Sequence, residues 1–182
     1  INYVRISVTD RCDLRCSYCM PKKHNSFIEK KEILSIEKLK LLTGALIKIG
    51  IEKFRITGGE PLIRKGITDY LNFLGTEKKN KRIKEILITT NGTQLEKYSE
   101  LLLKNGVERL NVSLDSLDPN KYNLITNGGN LKKVLQGIKT ASNIGLKIKI
   151  NTVLLKNVND DEILSLAIWC SKNNYKLSFI EV

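Results

Sequence analysis

Residues 109–115 read RLNVSLD, a segment in which apolar and polar side chains alternate along a predicted strand. Leu110, Val112 and Leu114 form the apolar side, and polar residues separate them. Because successive side chains of a strand point to opposite faces, this strand has one apolar face and one polar face. Four other strand-like segments share the alternation: Val4–Thr9, Lys53–Thr57, Glu85–Asn91 and Lys147–Asn151.

Hydrophobic periodicity predicts a regular alternation of strands and helices along the whole chain. The predicted strands are Tyr3–Thr9, Lys53–Thr57, Glu85–Thr90, Arg109–Asp115, Lys147–Leu154 and Leu177–Glu181. The predicted helices are Ser35–Lys48, Ile67–Thr76, Gln94–Lys104, Leu131–Asn143 and Asp161–Asn173, the last capped by Asp160 or Asp161. Strand–helix alternation of this kind indicates a parallel sheet covered by helices.

The shared polar face of the strands distinguishes between two ways of building such a sheet. Helices pack on the apolar face, so the polar face must meet water or a polar ligand. A sheet curled with its polar face inward meets this requirement, and an ordinary sheet with one solvated face is the alternative. We therefore predict an α/β fold, a partial (β/α)6 TIM-like barrel of six parallel strands, as a single domain over residues 1–182. In α/β barrels the reacting centre lies at the carboxyl ends of the strands.

Composition and charge exclude several classes of protein. The chain has 182 residues, of which 41% are apolar and 27% charged, as in soluble globular domains. No apolar run approaches the length of a membrane span, so no membrane partner is predicted. Ile1 leads directly into a strand-like segment without a signal peptide, which predicts a cytoplasmic location. The formal net charge of +12 favours anionic ligands. No basic stripe interleaved with aromatic residues is present, so nucleic acid is not predicted as a partner.

Three of the four cysteines lie together directly after the first predicted strand. Residues 11–19 read RCDLRCSYC, which places Cys12, Cys16 and Cys19 in a C-x3-C-x2-C spacing. Zinc sites generally have four ligands, whereas three thiolates suit a 4Fe–4S cluster with one open iron. Three unliganded thiols are the structural alternative. Cys170 lies in an apolar helical segment and is predicted to be a core thiol, and His24 is predicted to be exposed.

Two motifs, at the ends of the first and second predicted strands, resemble those of the radical S-adenosylmethionine (SAM) enzymes. The first is the cysteine triplet with Tyr18 before its last member, and the second is Thr57-Gly58-Gly59-Glu60-Pro61. Within that superfamily the chain resembles the GTP 3′,8-cyclase family of molybdenum cofactor biosynthesis. The resemblance rests on residues 5–12, 18–21, 55–62, 89–92 and 111–115, and it continues through Lys149 and residues 158–162.

The resemblance implies roles for ten residues. Cys12, Cys16 and Cys19 would hold the 4Fe–4S cluster, and S-adenosylmethionine would be bound by Tyr18, Gly59 and Ser113. Contacts with GTP would come from Arg5, Arg55, Thr89 and Lys149. Strand alternation independently places five of the ten on the polar face: Arg5, Arg55, Thr89, Ser113 and Lys149.

The implied reaction converts GTP to 3′,8-cyclo-7,8-dihydro-GTP, and a 5′-deoxyadenosyl radical removes the ribose 3′ hydrogen. It requires an electron donor that the sequence does not identify, and the resemblance allows a homodimer. It also implies a further C-terminal region with a second cluster, so we expect the 182 residues alone not to complete turnover. The alternatives are another radical SAM enzyme acting on a peptide or small molecule, and a metal-binding module without catalysis.

Overall fold

Six parallel strands form one sheet whose spatial order follows the order of the chain. The computed structural model describes residues 1–20, 27–29 and 31–181, so the prediction for His24 lies outside the described residues. The strands are β1 (Tyr3–Ser7), β2 (Lys53–Thr57), β3 (Glu85–Thr90), β4 (Arg109–Ser113), β5 (Lys147–Leu154) and β6 (Lys176–Glu181). Each strand pairs in parallel with the next, and β1 and β6 are the two edges. This is the open, six-stranded α/β arrangement that the sequence predicts.

Six α-helices connect or flank the strands. They are α1 (Ile36–Lys48), α2 (Ile67–Lys79), α3 (Leu95–Lys104), α4 (Pro119–Thr126), α5 (Leu131–Asn143) and α6 (Ile163–Lys172). Side chains cap several of their amino termini: Ser35 accepts a hydrogen bond from the Lys38 amide, and Asn130 accepts one from the Lys133 amide. None of the helices in the described part of the chain is long and apolar enough to cross a membrane.

The structure corrects the sequence-based prediction at two helices. Helix α4 was not predicted, although Asp118 caps it and Pro119 occupies its first turn, a common way to begin a helix. The predicted N-cap of the last helix was wrong, because Asp160–Glu162 forms a separate 3-10 turn and α6 begins at Ile163. The Glu162 carboxylate instead accepts hydrogen bonds from the Ser116 hydroxyl and the Leu117 amide, at 2.6 and 2.8 Å.

The hydrophobic core lies between the helices and the apolar face of the sheet. The strands contribute fully buried side chains such as Phe54, Ile56, Ile88 and Leu110. The helices contribute Tyr70, Leu74, Leu102, Val134 and Ile138 to the same cluster. Burying one such side chain contributes about 1.5–3 kcal/mol to folding. Cys170 is 2% exposed within this core, as predicted.

The register of the strands places the polar residues in rows on the opposite face. One row runs from Arg5 to Arg55 and continues through Leu87, Arg109 and Lys147. Two residues further along the strands, a second row contains Thr89, Asn111 and Lys149. A third row contains Ser113, Asn151 and Ser178. Residues two apart along a strand share a face, so Arg5, Arg55, Thr89, Ser113 and Lys149 lie on one side, as their alternation predicts.

Candidate functional site

The cysteine loop follows β1 at the carboxyl edge of the sheet, where it packs against a pair of glycines. The Gly59 amide donates to the Thr9 carbonyl at 2.7 Å, and the Glu60 amide donates to the Arg11 carbonyl at 2.8 Å. A β-carbon on Gly58 would lie 2.5 Å from the Thr9 oxygen, and one on Gly59 would overlap the Arg11 carbonyl. The glycine pair therefore allows two backbone segments to approach closely.

Glu60, the next residue of this motif, ties the glycine turn to the end of β3. Its carboxylate is fully buried and accepts hydrogen bonds from the Leu62 amide, the Thr90 hydroxyl and the Asn91 amide, at 3.0, 2.9 and 2.6 Å. Burial raises the pKa of Glu60 to about 7, although these hydrogen bonds act in the opposite direction. The carboxylate thus fixes the position of two loops at this edge.

A second polar network holds the cysteine loop against the loop after β3. Asp13 accepts hydrogen bonds from the Thr93 hydroxyl at 2.6 Å and from the Asn91 side-chain amide at 2.7 Å. The same Asn91 amide lies 3.5 Å from the Cys12 sulfur, and the Leu14 amide lies 3.4 Å from it. Burial alone would raise the pKa of Asp13, but the hydrogen bonds outweigh it and the pKa is lowered. An ionised Asp13 therefore anchors the loop that presents Cys12.

Helix α4 holds the other end of the cysteine loop through its terminal carbonyl groups. The Arg15 amide donates to the Thr126 carbonyl at 3.1 Å, and the Ser17 amide donates to the Ile125 carbonyl at 2.9 Å. These carbonyls belong to the last turn of the helix, where carbonyl groups have no hydrogen-bond donor within the helix. Helix α4, missed by the sequence analysis, is therefore part of the framework of the site.

The three clustered thiols interact electrostatically with one another. The pKa of Cys16 is raised to about 12, chiefly by burial and in addition by the nearby charges of Asp115, Cys12 and Cys19. Burial also raises the pKa of Cys12. All three are free thiols, as is Cys170. Thiols held in this way become thiolate ligands when a metal supplies the compensating positive charge.

The chemistry of the three cysteines is compatible with an iron–sulfur cluster, which binds thiolate ligands. Within the described ranges, no group of three or more His, Cys, Asp or Glu side chains is arranged to hold one ion. In a 4Fe–4S cluster each cysteine binds a different iron, so its three thiols stand further apart than the ligands of one ion. The anchored loop offers three free thiols, the number of ligands that leaves one iron of such a cluster open.

Half-buried Tyr18 and buried Asp115 form a hydrogen-bonded pair between the cysteine loop and the end of β4. The Tyr18 hydroxyl donates to Asp115 Oδ2 at 2.7 Å, and the Val153 amide donates to Oδ1 at 2.9 Å. Asp115 is 3% exposed, and burial raises its pKa, although both hydrogen bonds act to lower it. Burial also raises the pKa of Tyr18, so its hydroxyl remains a donor. Ser113 lies two residues before Asp115 on the same side of the strand.

Sequence reasoning missed the residues that fix this framework: Asp13, Glu60, Asn91, Thr93 and Asp115. Four of them belong to motifs that the sequence analysis quoted, but no role followed from the motifs. Their partners are distant in sequence, as in the Tyr18–Asp115 hydrogen bond across 97 residues. The available signal was their position, since each lies at the carboxyl end of a predicted strand or in the loop that follows it.

The cations of the polar face lie deeper in the sheet, in its first two rows. Arg5 is exposed, whereas Arg55, Thr89 and Lys149 are half-buried. The Arg55 guanidinium carbon lies 5.6 Å from the centre of the Tyr3 ring. The Nε of Arg55 is buried and has no hydrogen-bond partner among the described residues. No ion pair of the described residues neutralises Arg5, Arg55 or Lys149. The polar face can therefore bind an anion through these cations.

Comparison with known proteins relates the whole chain to one superfamily. The model of the Radical SAM superfamily matches residues 6–170. A GTP 3′,8-cyclase of Sinorhizobium medicae is 49% identical over 181 residues, which cover 100% of this chain and 52% of that protein. A GTP 3′,8-cyclase of Peptoclostridium acidaminophilum is 48% identical over 183 residues, with 100% and 55% covered. The chain thus spans about half the length of the curated relatives it matches.

Solved structures show the same fold at lower sequence identity. Streptococcus suis SuiB bound to S-adenosylmethionine superposes with a TM-score of 0.80 at 22% identity, over 99% of this chain and 40% of SuiB. Native anSMEcpe with bound AdoMet superposes with a TM-score of 0.77 at 20% identity, over 98% of this chain and 50% of that chain. These similarities confirm the predicted partial barrel.

Proposed function

This chain belongs to the radical SAM superfamily, and from that premise we propose that it acts in a GTP 3′,8-cyclase. The proposed reaction converts GTP to 3′,8-cyclo-7,8-dihydro-GTP, the first step of molybdenum cofactor biosynthesis. The observation that carries the proposal is the row of unneutralised cations below the cysteine loop, with the buried, unpartnered Nε of Arg55. The identity of 49% to a named GTP 3′,8-cyclase over the whole chain supports it.

The proposed ligands of the 4Fe–4S cluster are Cys12, Cys16 and Cys19. When bound, the cluster and S-adenosylmethionine supply the one-electron chemistry that starts the reaction. The protein's part is to position the ligands, and two N–H groups already point at the Cys12 sulfur, from Leu14 and Asn91. Hydrogen bonds to a sulfur favour its anionic form, so these donors would stabilise the thiolate that the cluster requires.

Tyr18, Gly59 and Ser113 are the proposed residues for S-adenosylmethionine, which carries a sulfonium cation. The carboxylates of Asp115 and Glu60 are buried at this edge of the sheet. A buried carboxylate with an unneutralised charge favours a cationic ligand nearby. The Tyr18–Asp115 hydrogen bond would hold the aromatic ring in place, and Gly59 would keep the glycine turn close to the cysteine loop.

The polar face thus separates negative charge at its edge from positive charge deeper in the sheet. Ser113 and the row of Arg5 and Arg55 differ by four residues in register, which corresponds to about 13 Å along the strands. This separation would place a cationic cofactor at the edge and the polyanionic triphosphate below it. Arginine pairs with phosphate oxygens through two N–H groups, and Arg55 has its Nε free to do so.

Replacing Arg55 with Ala tests the substrate assignment. We expect Arg55→Ala to weaken GTP binding by roughly 1.5–3 kcal/mol, the contribution of a hydrogen bond to a charged group. The dissociation constant would rise about 10- to 150-fold, as measured by isothermal titration calorimetry on the folded protein.

Arg82→Ala is the matched control, because Arg82 is a cation paired with Glu77 at 2.6 Å and lies outside the polar face. It should leave GTP affinity unchanged. Equal affinity of wild type and Arg55→Ala for GTP would contradict the proposal. It would favour another radical SAM enzyme with a peptide or different small molecule as substrate.

A further inference from the structure

Tyr122 carries a buried hydroxyl that the framework described above does not use. The side chain is 1% exposed on α4, and its hydroxyl has no hydrogen-bond partner among the described residues. Tyr70 is buried to the same degree, but its hydroxyl is 2.7 Å from the Thr43 hydroxyl. Buried polar groups are almost always paired, so an unpaired hydroxyl calls for a specific explanation.

Tyr122 lies on α4, the helix that holds the cysteine loop. Tyr122 lies one turn before Ile125 and Thr126, whose carbonyls accept the amides of Ser17 and Arg15. Residues three and four apart are neighbours on a helix, so Tyr122 shares this end of α4. Burial raises the pKa of Tyr122, and the charges of four nearby groups raise it as well: Cys16, Asp115, Asp13 and Cys12. The hydroxyl therefore lies within electrostatic range of these groups.

The ring has little freedom to turn elsewhere. The turn after α4 packs against it, because a β-carbon on Gly129 would lie 2.8 Å from Tyr122 Cε1. The Tyr122 carbonyl accepts the Thr126 hydroxyl at 2.5 Å, which fixes the backbone at the same point. The ring and its hydroxyl are therefore held in their buried position on α4.

The two carboxylates whose charges act on the Tyr122 hydroxyl already have hydrogen-bond donors among the described residues. Asp13 accepts hydrogen bonds from Thr93 and Asn91, and Asp115 accepts them from Tyr18 and Val153. The other two groups whose charges act on the Tyr122 hydroxyl are the sulfurs of Cys16 and Cys12. A thiolate or sulfide is a hydrogen-bond acceptor, and such bonds are among the factors that set the potential of an iron–sulfur cluster.

We propose that the Tyr122 hydroxyl donates a hydrogen bond to a sulfur of the iron–sulfur cluster held by Cys12, Cys16 and Cys19, and thereby raises its reduction potential. This inference rests on the proposed cluster. A hydrogen bond to sulfur stabilises the reduced state more than the oxidised state, because reduction adds negative charge to the cluster. The hydroxyl would thus tune the reduction potential of the cluster.

The test compares Tyr122→Phe with Tyr70→Phe in the protein reconstituted with iron and sulfide under anaerobic conditions. An electron paramagnetic resonance titration gives the midpoint potential of the loaded clusters, and denaturant unfolding gives the stability of the apo-protein. We expect Tyr122→Phe to make reduction about tenfold less favourable, which lowers the one-electron midpoint potential by about 59 mV. It should not lower apo-protein stability, because it removes an unpaired hydroxyl.

Tyr70→Phe should show the reverse pattern, with a lower apo-protein stability and an unchanged potential. An unchanged potential in Tyr122→Phe, or an equal shift in both variants, would overturn the inference. A loss of apo-protein stability in Tyr122→Phe without a change in potential would assign the hydroxyl a purely structural partner. A wild-type protein that takes up no cluster would overturn the proposed function as well, so the two failures are distinguishable.

Discussion

Cys16→Ala is expected to abolish the brown chromophore of the protein after anaerobic reconstitution with iron and sulfide. Each of the three cysteines would supply one ligand of the cluster, and the loop offers no fourth thiol to replace a lost one. The Cys16 thiol is half-buried on a loop whose backbone is fixed by Ile125 and Thr126, so a distant side chain cannot move into its place. Visible absorption and the iron and sulfide content per chain measure the outcome.

Cys170→Ala is the matched control, because Cys170 is a core thiol on α6, away from the cysteine loop. It should retain about four iron and four sulfide per chain, as in the wild type. A normal chromophore in Cys16→Ala would refute the ligand assignment. Stoichiometric zinc without sulfide in the wild type would instead support a metal-binding module without catalysis.

The sheet was predictable from sequence because strand alternation is a local property. The alternation in RLNVSLD and in Val4–Thr9 determines which side chains face the helices, and no distant contact is needed to see it. The same local alternation predicted that Arg55 and Lys149 lie on the polar face of the sheet. Strand ends were less predictable, since β1 stops at Ser7 and β4 at Ser113, two residues earlier than expected in each case.

The framework of the site was not predictable because it depends on contacts between loops. Helix α4 has eight residues, too few to show a clear amphipathic period, and its role is to offer carbonyls to the cysteine loop. Asn91 contacts Cys12 across 79 residues, and Asn159 holds the Asp115 carbonyl across 44. No local pattern indicates which of these loops meet.

The glycine motif shows how a correct motif can receive an incomplete interpretation. The resemblance described in the sequence analysis implies that Gly59 binds S-adenosylmethionine. The structure gives the pair an additional partner within the chain, since Gly58 and Gly59 lie against the backbone of Thr9 and Arg11. A contact with S-adenosylmethionine remains a proposal, and the two roles predict different behaviour of the apo-protein.

Gly59→Ala is expected to destabilise the apo-protein and to prevent stable uptake of the cluster. The new β-carbon would overlap the Arg11 carbonyl and would lie 2.9 Å from the Asp10 oxygen, and neither backbone atom can yield as a flexible side chain could. Overpacking of this kind costs about 1–3 kcal/mol. Displacement of the loop would also weaken the hydrogen bonds from Gly59 to Thr9 and from Glu60 to Arg11, at about 1 kcal/mol each. We therefore expect a loss of about 3–5 kcal/mol from these contributions together, measured by urea unfolding.

Gly44→Ala provides the opposite control, because a β-carbon there meets nothing within 4 Å on α1. Alanine is favoured over glycine in a helix by about 1 kcal/mol, so this variant should be more stable and should load the cluster normally. If Gly59→Ala keeps wild-type apo-protein stability and cluster content but loses S-adenosylmethionine binding, the ligand contact alone explains the glycine. If both stability and cluster content fall before any ligand is added, the fit between the glycine turn and the cysteine loop is the primary requirement. The structure favours this second result, because the overlap occurs within the chain itself.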